Sequence, residues 1–398
     1  MPYLLPRGLA INNRLLLILA YGDLSYLEAC TLLGERFSSS KRLWGDVASV
    51  DMRDTRGGYE NLAGVHKVAI SITTNPHKRL DDIEELDDFL RGFDDGFSFS
   101  TSLYSPEGVS ETEYEEVLST ILEAVREAGF RKANLVRPRN GSEVLAREVA
   151  SRKLVDFVVL RFGGRYLLGV TSYVPEMGQF QLRSNERPVV SSQISISSRL
   201  ARLLVNLSGV TRGGTLLDPF CGSGTILSEA IAAGAMCIGV DRERSRVENS
   251  RLNLEWLLKT LKIPAKPYSL KVGDATRLET LLEGVAVDTV VTEPILLPRI
   301  DSAPTIEKAR KMIRNSSRLY SEALYSIAAV VRKGGKVVIV APSLRTADGR
   351  DVSVLLENVE AAGLVPFQPT REEFEYPVKM AHENTRWIRR LVYVFERV

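Results

Sequence analysis

Apolar positions along this chain follow two rhythms, and the change comes near residue 190. Before it, short segments succeed one another without a repeating order. Apolar runs and alternations predict strands at 15–21, 65–72, 97–104, 132–136, 155–162 and 165–173. Apolar spacings of three and four predict a helix opened by Asp23 or Ser25, another over 111–128 with Leu118, Ile121 and Leu122 on one face, and a third over 142–152. The acidic run DDIEELDDFLRGFDDG keeps Ile83, Leu86, Phe89 and Leu90 at helical spacing, so it reads as a solvated helix. Together these make an α+β module.

After residue 190 the segments lengthen and alternate regularly. Helices are predicted at 195–207, 224–233, 244–261, 305–332 and 352–362, and strands at 215–219, 236–240, 269–272, 287–291, 336–341 and 389–396. The stretch SLYSEALYSIAAVVRKGGKVVIVAP shows the grammar: an amphipathic helix stops at Lys333-Gly334-Gly335 and a β-branched strand begins at once. Alternation of this kind predicts an α/β fold, a doubly wound parallel sheet covered on both faces.

Bulk composition narrows the class. The 398 residues are 44% hydrophobic and 26% charged, enough for two or three domains with real cores and without the polar bias of a disordered chain. The longest apolar run near the start, LLLILAYG, falls far short of the roughly 18 residues of a membrane span and lacks a small-residue cleavage site, so it reads as a buried strand of a cytoplasmic protein. Cys30, Cys221 and Cys237, with His66, His77 and His382, have no metal-ligand or disulfide spacing, and no metal site is expected. A net charge of +2 neither demands nor forbids a polyanionic partner.

The first strand of the second half runs into TLLDPFCGSGTILSEA. Asp218 stands at its carboxyl end, Pro219, Phe220 and Cys221 follow, and Gly222-Ser223-Gly224 lets the backbone turn tightly before a helix begins at Thr225. A dinucleotide fingerprint would place a third glycine where this chain has Leu227, and no Gly-Lys-Ser/Thr ending follows, so pyrophosphate is a poor ligand for the turn. An acid there suits a cationic ammonium. The next strand ends in Asp241, followed by Arg242, and an acid at that position can hold ribose hydroxyls. The third leads to Asp274 and Ala275, where the carboxylate can accept from an amino group such as that of adenine. Each acid alone equally reads as a helix N-cap. The three together with the glycine turn describe one elongated site for amino acid, ribose and base.

The motif LLDPFCGSGTILSEA resembles the first motif of class I S-adenosylmethionine-dependent methyltransferases in the form found in nucleic-acid N-methylases. Within these the chain is similar to the archaeal and eukaryotic family that methylates the guanine amino group at position 10 of transfer RNA. NERPVVSSQISISSRLARLLVNLSGV resembles that family's approach to the cofactor motif, with Ser197-Ser198-Arg199-Leu200-Ala201 where the family has roughly Pro-Pro-Lys-Leu-Ala, and VENSRLNLEWL resembles its helix after the ribose acid. The resemblance implies S-adenosylmethionine as cofactor and a Rossmann-like sheet over 211–398. It further implies a linker and leading helix over 181–210, and an RNA-gripping region over 1–180, ferredoxin-like with a THUMP domain. It also implies transfer RNA as partner and a small zinc-containing activator protein as a possible second one.

In that family the fourth strand ends in Asp-Pro-Pro-Tyr, whose carboxylate and first proline carbonyl accept from the target amine while the aromatic ring stacks on the flipped base. Here VVTEPILLP puts Glu293 in place of the acid, Pro294 in place of the first proline, Ile295 in place of the second and Leu296 in place of the aromatic residue. Glutamate adds a methylene and a torsion, roughly 1.5 Å of reach, and is expected to be held more loosely. Leu296 offers no aromatic face. The readings left open are an active guanine-amino methylase, a methylase of another RNA or DNA base, and an RNA binder of impaired activity. Two basic stretches are candidates for RNA contact: Arg310, Arg314 and Arg318 with Lys308 and Lys311, and Arg131, Lys132, Arg137 and Arg139. Either also reads as a solvated face. HENTRWIRR supplies Arg386, Trp387 and Arg389 as a further possible entrance lining.

Overall fold

The computed structural model describes residues 13–53, 58–93, 96–139, 141–190, 196–294, 297, 300–354, 356, 359–369, 374–380 and 387–398. They fall into two compact units, one of residues up to Ala20 with Leu33–Glu176, the other of Tyr21–Leu32 with Met177–Val398.

The first unit is built on an eight-stranded sheet: β1 (Arg14–Leu19), β2 (Phe37–Trp44), β3 (Val47–Met52), β4 (Val65–Ser71), β5 (Ser98–Tyr104), β6 (Asn134–Leu135), β7 (Val155–Phe162) and β8 (Arg165–Tyr173), in the order β2-β3-β1-β4-β8-β7-β5-β6. The hairpin β2–β3 is absent from the sequence expectations because β2 reads FSSSKRLW, a polar run that pairs only with β3 at the sheet edge. Helices α2 (Glu84–Leu90), α3 (Glu111–Glu127) and α4 (Ala146–Arg152) complete the unit, while α1 (Asp23–Leu33) lies largely within the second. A capping box starts α3: Ser110 Oγ accepts from Glu113 N at 3.3 Å, and Glu113 accepts from Ser110 N at 2.9 Å.

The second unit holds β9 (Thr215–Asp218), β10 (Met236–Asp241), β11 (Tyr268–Val272), β12 (Thr289–Thr292), β13 (Lys336–Arg345), β14 (Asp351–Ser353), β15 (Leu364–Pro366), β16 (Val378–Lys379) and β17 (Ile388–Arg397), with helices α5 (Met177–Asn185), α6 (Ser198–Leu207), α7 (Thr225–Ala232), α8 (Arg244–Thr260), α9 (Leu278–Leu281) and α10 (Ile306–Val330). The strand order is β11-β10-β9-β12-β13-β17-β15, parallel through β13, with β17 antiparallel to both neighbours. The order reverses between β9 and β12, so their outgoing loops diverge and leave a crevice at the carboxyl edge. Buried Ala309, Ile313, Tyr320, Leu324 and Ile327 carry α10 onto the sheet at helical spacing, and Thr305 Oγ1 caps it from Lys308 N at 3.3 Å.

One expectation is corrected here. The stretch predicted as a helix over 352–362 opens as strand β14, folded back on β13 with Leu344 opposite Val352, and continues as a 3-10 turn at Val359–Ala362. Asp348-Gly349 makes this turn: Thr346 donates to Asp348 Oδ1 at 2.5 Å, and Gly349 takes a φ of 83°. Helix α5 runs into the segment expected as a linker and leading helix over 181–210, and α6 lies within it. No helix among the described residues is long and apolar enough to cross a membrane.

A fully buried ion pair joins the central strands of the first sheet. Lys67 Nζ donates to Asp156 Oδ2 at 2.8 Å and to Ser102 Oγ at 2.8 Å, while Ser100, Ser102 and Thr171 hydroxyls donate to the same carboxylate at 2.8 to 2.9 Å. Both charges have an accessibility of 1% or less, and four further polar contacts hold them. Truncating Lys67 would strand a carboxylate in the core. Lys67→Met should therefore destabilise the first unit by about 3–5 kcal/mol, measured by urea unfolding, with Lys67→Met/Asp156→Leu recovering most of the loss.

Candidate active site

The carboxyl edge of the second sheet gathers the acids that end its strands. Asp218 closes β9 and is 1% exposed. Its Oδ1 accepts from Thr292 Oγ1, the last residue of β12, at 2.7 Å and from Phe220 N at 3.1 Å. This hydrogen bond ties the two strands at the point where their order reverses. Burial raises the Asp218 pKa to about 7, against the two hydrogen bonds that lower it, with smaller upward contributions from Asp241 and Glu293.

The turn that follows is fixed from three sides. Gly222 and Gly224 adopt φ of 51° and 82°, a region side chains avoid. Asp241 Oδ2 accepts from Gly222 N at 3.0 Å and its Oδ1 from Glu243 N at 3.0 Å. From α8, Ser250 Oγ donates to Gly222 O at 2.8 Å and Asn253 Nδ2 to Ser223 O at 2.9 Å. A Cβ on Gly224 would meet Ser250 Oγ at 3.1 Å, whereas one on Gly222 would meet only the Phe220 carbonyl at 4.0 Å and would project into the space above the turn. Cys221 contributes backbone alone: its thiol is buried, within 3.7 Å of Ser250 Oγ, and burial pushes its pKa up. Asp274 is exposed and caps the 3-10 turn that begins at buried Ala275, accepting from Thr276 N at 2.9 Å, which holds its pKa below the usual value.

One residue past β12, Glu293 meets a partner that sequence reading missed. Arg390 Nε, on β17 and 97 positions away, donates to Glu293 Oε1 at 2.6 Å. The side chains are 3% and 11% exposed. The expectation of a loosely held glutamate is corrected: a part-buried, charge-assisted hydrogen bond fixes the longer side chain. Pro294 is buried, while Ile295 and Leu296 lie outside the described residues.

A parallel sheet with the order 3-2-1-4-5 about its switch point, a glycine turn after the first strand and acids at successive strand ends forms a cofactor crevice. A family model described as RMKL-like, methyltransferase domain matches residues 186–349. A tRNA (guanine(10)-N2)-dimethyltransferase of Pyrococcus abyssi is 26% identical over 306 residues, 75% of this chain and 77% of the relative. An enzyme of the same name from Methanothermobacter thermautotrophicus is 36% identical over 162 residues, covering 41% of this chain and 43% of its own length. The second unit is a class I S-adenosylmethionine-dependent methyltransferase domain. The chain is also similar in fold to TrmN from Thermus thermophilus, with a TM-score of 0.51 at 16% identity over 97% of this chain and 100% of the other.

The methyltransferase brings Asp218, Gly222, Gly224, Thr225 and Asp241 together around one turn. Buried Asp218, the glycine cradle and the paired acids fit a zwitterionic, ribose-bearing cofactor. Arg242 is exposed beside them. The basic candidates divide. Arg137 pairs with Glu115, Arg139 with Glu148 at 2.8 Å and Arg318 with Glu322 at 2.8 Å, so their charge is largely spent locally. Arg389 pairs with Asp351 at 3.0 Å. Arg131, Lys132, Arg310 and Arg314 are exposed. Arg310 lines a groove of about 490 Å³ with Ile306, Arg350, Asp351, Val352 and Ser353, between the start of α10 and the β13–β14 hairpin.

The raised acid has a measurable consequence. The folded domain keeps the Asp218 proton up to a pH of about 7 and the unfolded chain releases it near 3.8, so stability from this group is full below the lower value and declines as pH rises through this window. Asp218→Asn keeps an acceptor for Thr292 and Phe220 but cannot ionise. It should stabilise the ligand-free domain by on the order of 2 kcal/mol at pH 8 and little at pH 4, measured by urea unfolding at both.

Proposed function

We propose that this chain transfers a methyl group to the exocyclic N2 amine of a guanosine in transfer RNA, at position 10. The relatives named above support the substrate. The observation that carries the chemistry is the Glu293 carboxylate held by buried Arg390 at the lip of the cofactor crevice.

S-adenosylmethionine supplies an electrophilic methyl group on a sulfonium centre. Asp218 would hold its ammonium, Asp241 its ribose hydroxyls and Asp274 the amino group of its adenine, with the Gly222–Gly224 turn toward the amino-acid end. Glu293 and the carbonyl of Pro294 accept the two amine hydrogens of the guanine, turning the nitrogen lone pair toward the methyl carbon. The bound cofactor would supply the methyl group and leave as the thioether, and Glu293 or water would take the surplus amine proton. Guanine nitrogen needs no prior deprotonation, so aim matters more than basicity. Arg390 is a positioning residue in this reading. Exposed Arg310 and Arg314, beside the groove at the start of α10, take RNA phosphates, and the amino-terminal unit grips the rest of the RNA.

Labelled methyl transfer to unmodified transfer RNA, with the product nucleoside mapped, tests the reading. N2-methylguanosine at position 10 is expected; transfer to another base, or none by a protein that binds the cofactor, overturns it. Glu293→Ala should lower turnover at least 100-fold while leaving cofactor affinity unchanged. Arg390→Met should lower kcat by roughly 100-fold with the cofactor Kd unaltered, read by single-turnover kinetics and calorimetry.

A further inference from the structure

Three arginines are buried among the described residues: Arg183, Arg187 and Arg390. Arg183 grips Glu229 with Nε at 2.6 Å and Nη2 at 3.0 Å, and Arg390 holds Glu293. Arg202 adds a contact to Glu229 at 3.3 Å, which occupies that carboxylate. Arg187 differs. At 8% exposure it makes one side-chain hydrogen bond, from Nη1 to Thr225 Oγ1 at 2.6 Å, and its buried Nε has no partner. No carboxylate pairs with it among the described residues, and burial alone pushes its pKa down with no acid to offset it. An uncompensated buried guanidinium costs several kcal/mol, a cost that an incoming anion would remove.

Its surroundings are those of an anion site. Thr225 is the first residue of α7, and the N-cap Gly224 has no side chain to cap the helix, so the amino-terminal N–H groups of α7 face the same place as the guanidinium. The segment that carries Arg187 is pinned to the glycine turn by one side chain: Asn253 accepts from Val189 N at 2.8 Å and donates both to Val189 O and to Ser223 O at 2.9 Å. Arg187 and the turn therefore hold a fixed relation before any ligand arrives. The turn has a buried carboxyl at one end, Asp218, and this buried cation at the other. A buried carboxyl and a buried cation at the two ends of the turn match a zwitterion.

We propose that Arg187, with the uncapped start of α7, binds the α-carboxylate of the cofactor's amino-acid end, opposite the ammonium at Asp218. The assignment rests on the methyl-donor reading and adds the residue that recognises the carboxylate. Decarboxylated S-adenosylmethionine is the discriminating probe, since it keeps the sulfonium, ammonium and adenosine and lacks only the carboxylate.

Isothermal titration of the native chain with both compounds should show the decarboxylated form binding roughly 10- to 100-fold more weakly, the range of a charge-assisted hydrogen bond. Arg187→Met should weaken the intact cofactor to the level of the decarboxylated one and leave the latter's affinity unchanged. The Tm of ligand-free Arg187→Met should equal or exceed the native value, because an unpaired buried charge has gone. Equal weakening of both compounds, or full discrimination kept by the variant, overturns the assignment. So does a ligand-free Tm several degrees below native accompanied by unchanged binding, the signature of a structural arginine. A native chain that binds neither compound would overturn the donor reading itself, a result distinct from binding without discrimination.

Discussion

The reversal of strand order between β9 and β12 is the constraint on which the rest of this methyltransferase depends. Parallel strands need crossovers, and crossovers on opposite faces must leave their strands in opposite directions, so the two neighbouring carboxyl ends cannot be bridged by backbone. What closes the seam is one side-chain hydrogen bond, from Thr292 to Asp218. It fixes the acid that begins the cofactor turn relative to the strand that presents Glu293. Cofactor side and substrate side are thereby registered against each other by residues on adjacent strands, each at a strand terminus.

That registration comes at a thermodynamic disadvantage. Asp218 is buried where ionisation is unfavourable, with Asp241 and Glu293 near enough to raise its pKa further. On the proposed reading a cation arriving at the turn reverses the balance, and what destabilises the empty site then strengthens the filled one. On the proposed reading, a positively charged group bound beside Asp218 would release the proton that the empty domain holds near neutrality. Glu293 differs because its compensating charge is internal. Arg390 supplies it permanently, so the acceptor at the lip is held in place by the protein itself.

The legibility of this chain follows the range of the interactions. Asp218, the glycine turn and Thr225 were readable because strand, turn and helix N-terminus are contiguous, and Asp241 and Asp274 because each stands where an apolar run stops. The doubly wound sheet was readable for the same reason. The Glu293–Arg390 pair was not, since β17 meets β13 only through the antiparallel register that sets Arg390 opposite Pro342, and no local pattern announces it. The helix expected over 352–362 failed because the apolar residues around Val352 match helical spacing, while the Asp348-Gly349 turn signal just before them carried the hairpin. The basic run of the first half reads equally as a polyanion surface or a solvated face, and the acids that pair with half of it, Glu115 and Glu148, stand on two separate helices that no local pattern brings to it.

The substitution of glutamate for the shorter acid takes its meaning from that register. β13 intervenes between β12 and β17, and the arginine opposite Pro342 must reach across it to meet the strand end. A carboxylate one methylene further from the backbone shortens the remaining gap by roughly 1.5 Å. It also gains a torsion that would cost orientation if left unfixed, and the Arg390 Nε contact at 2.6 Å removes that freedom. The longer acid and the buried arginine are thus two halves of one device: either alone leaves an unsatisfied charge or a wandering acceptor, and together they set a rigid carboxylate at the lip. In the proposed reaction, rigidity there is what lone-pair alignment demands, because a misplacement of about 1 Å costs on the order of 100-fold in rate. The departure from the shorter acid is therefore compatible with aimed methyl transfer and requires no loss of precision.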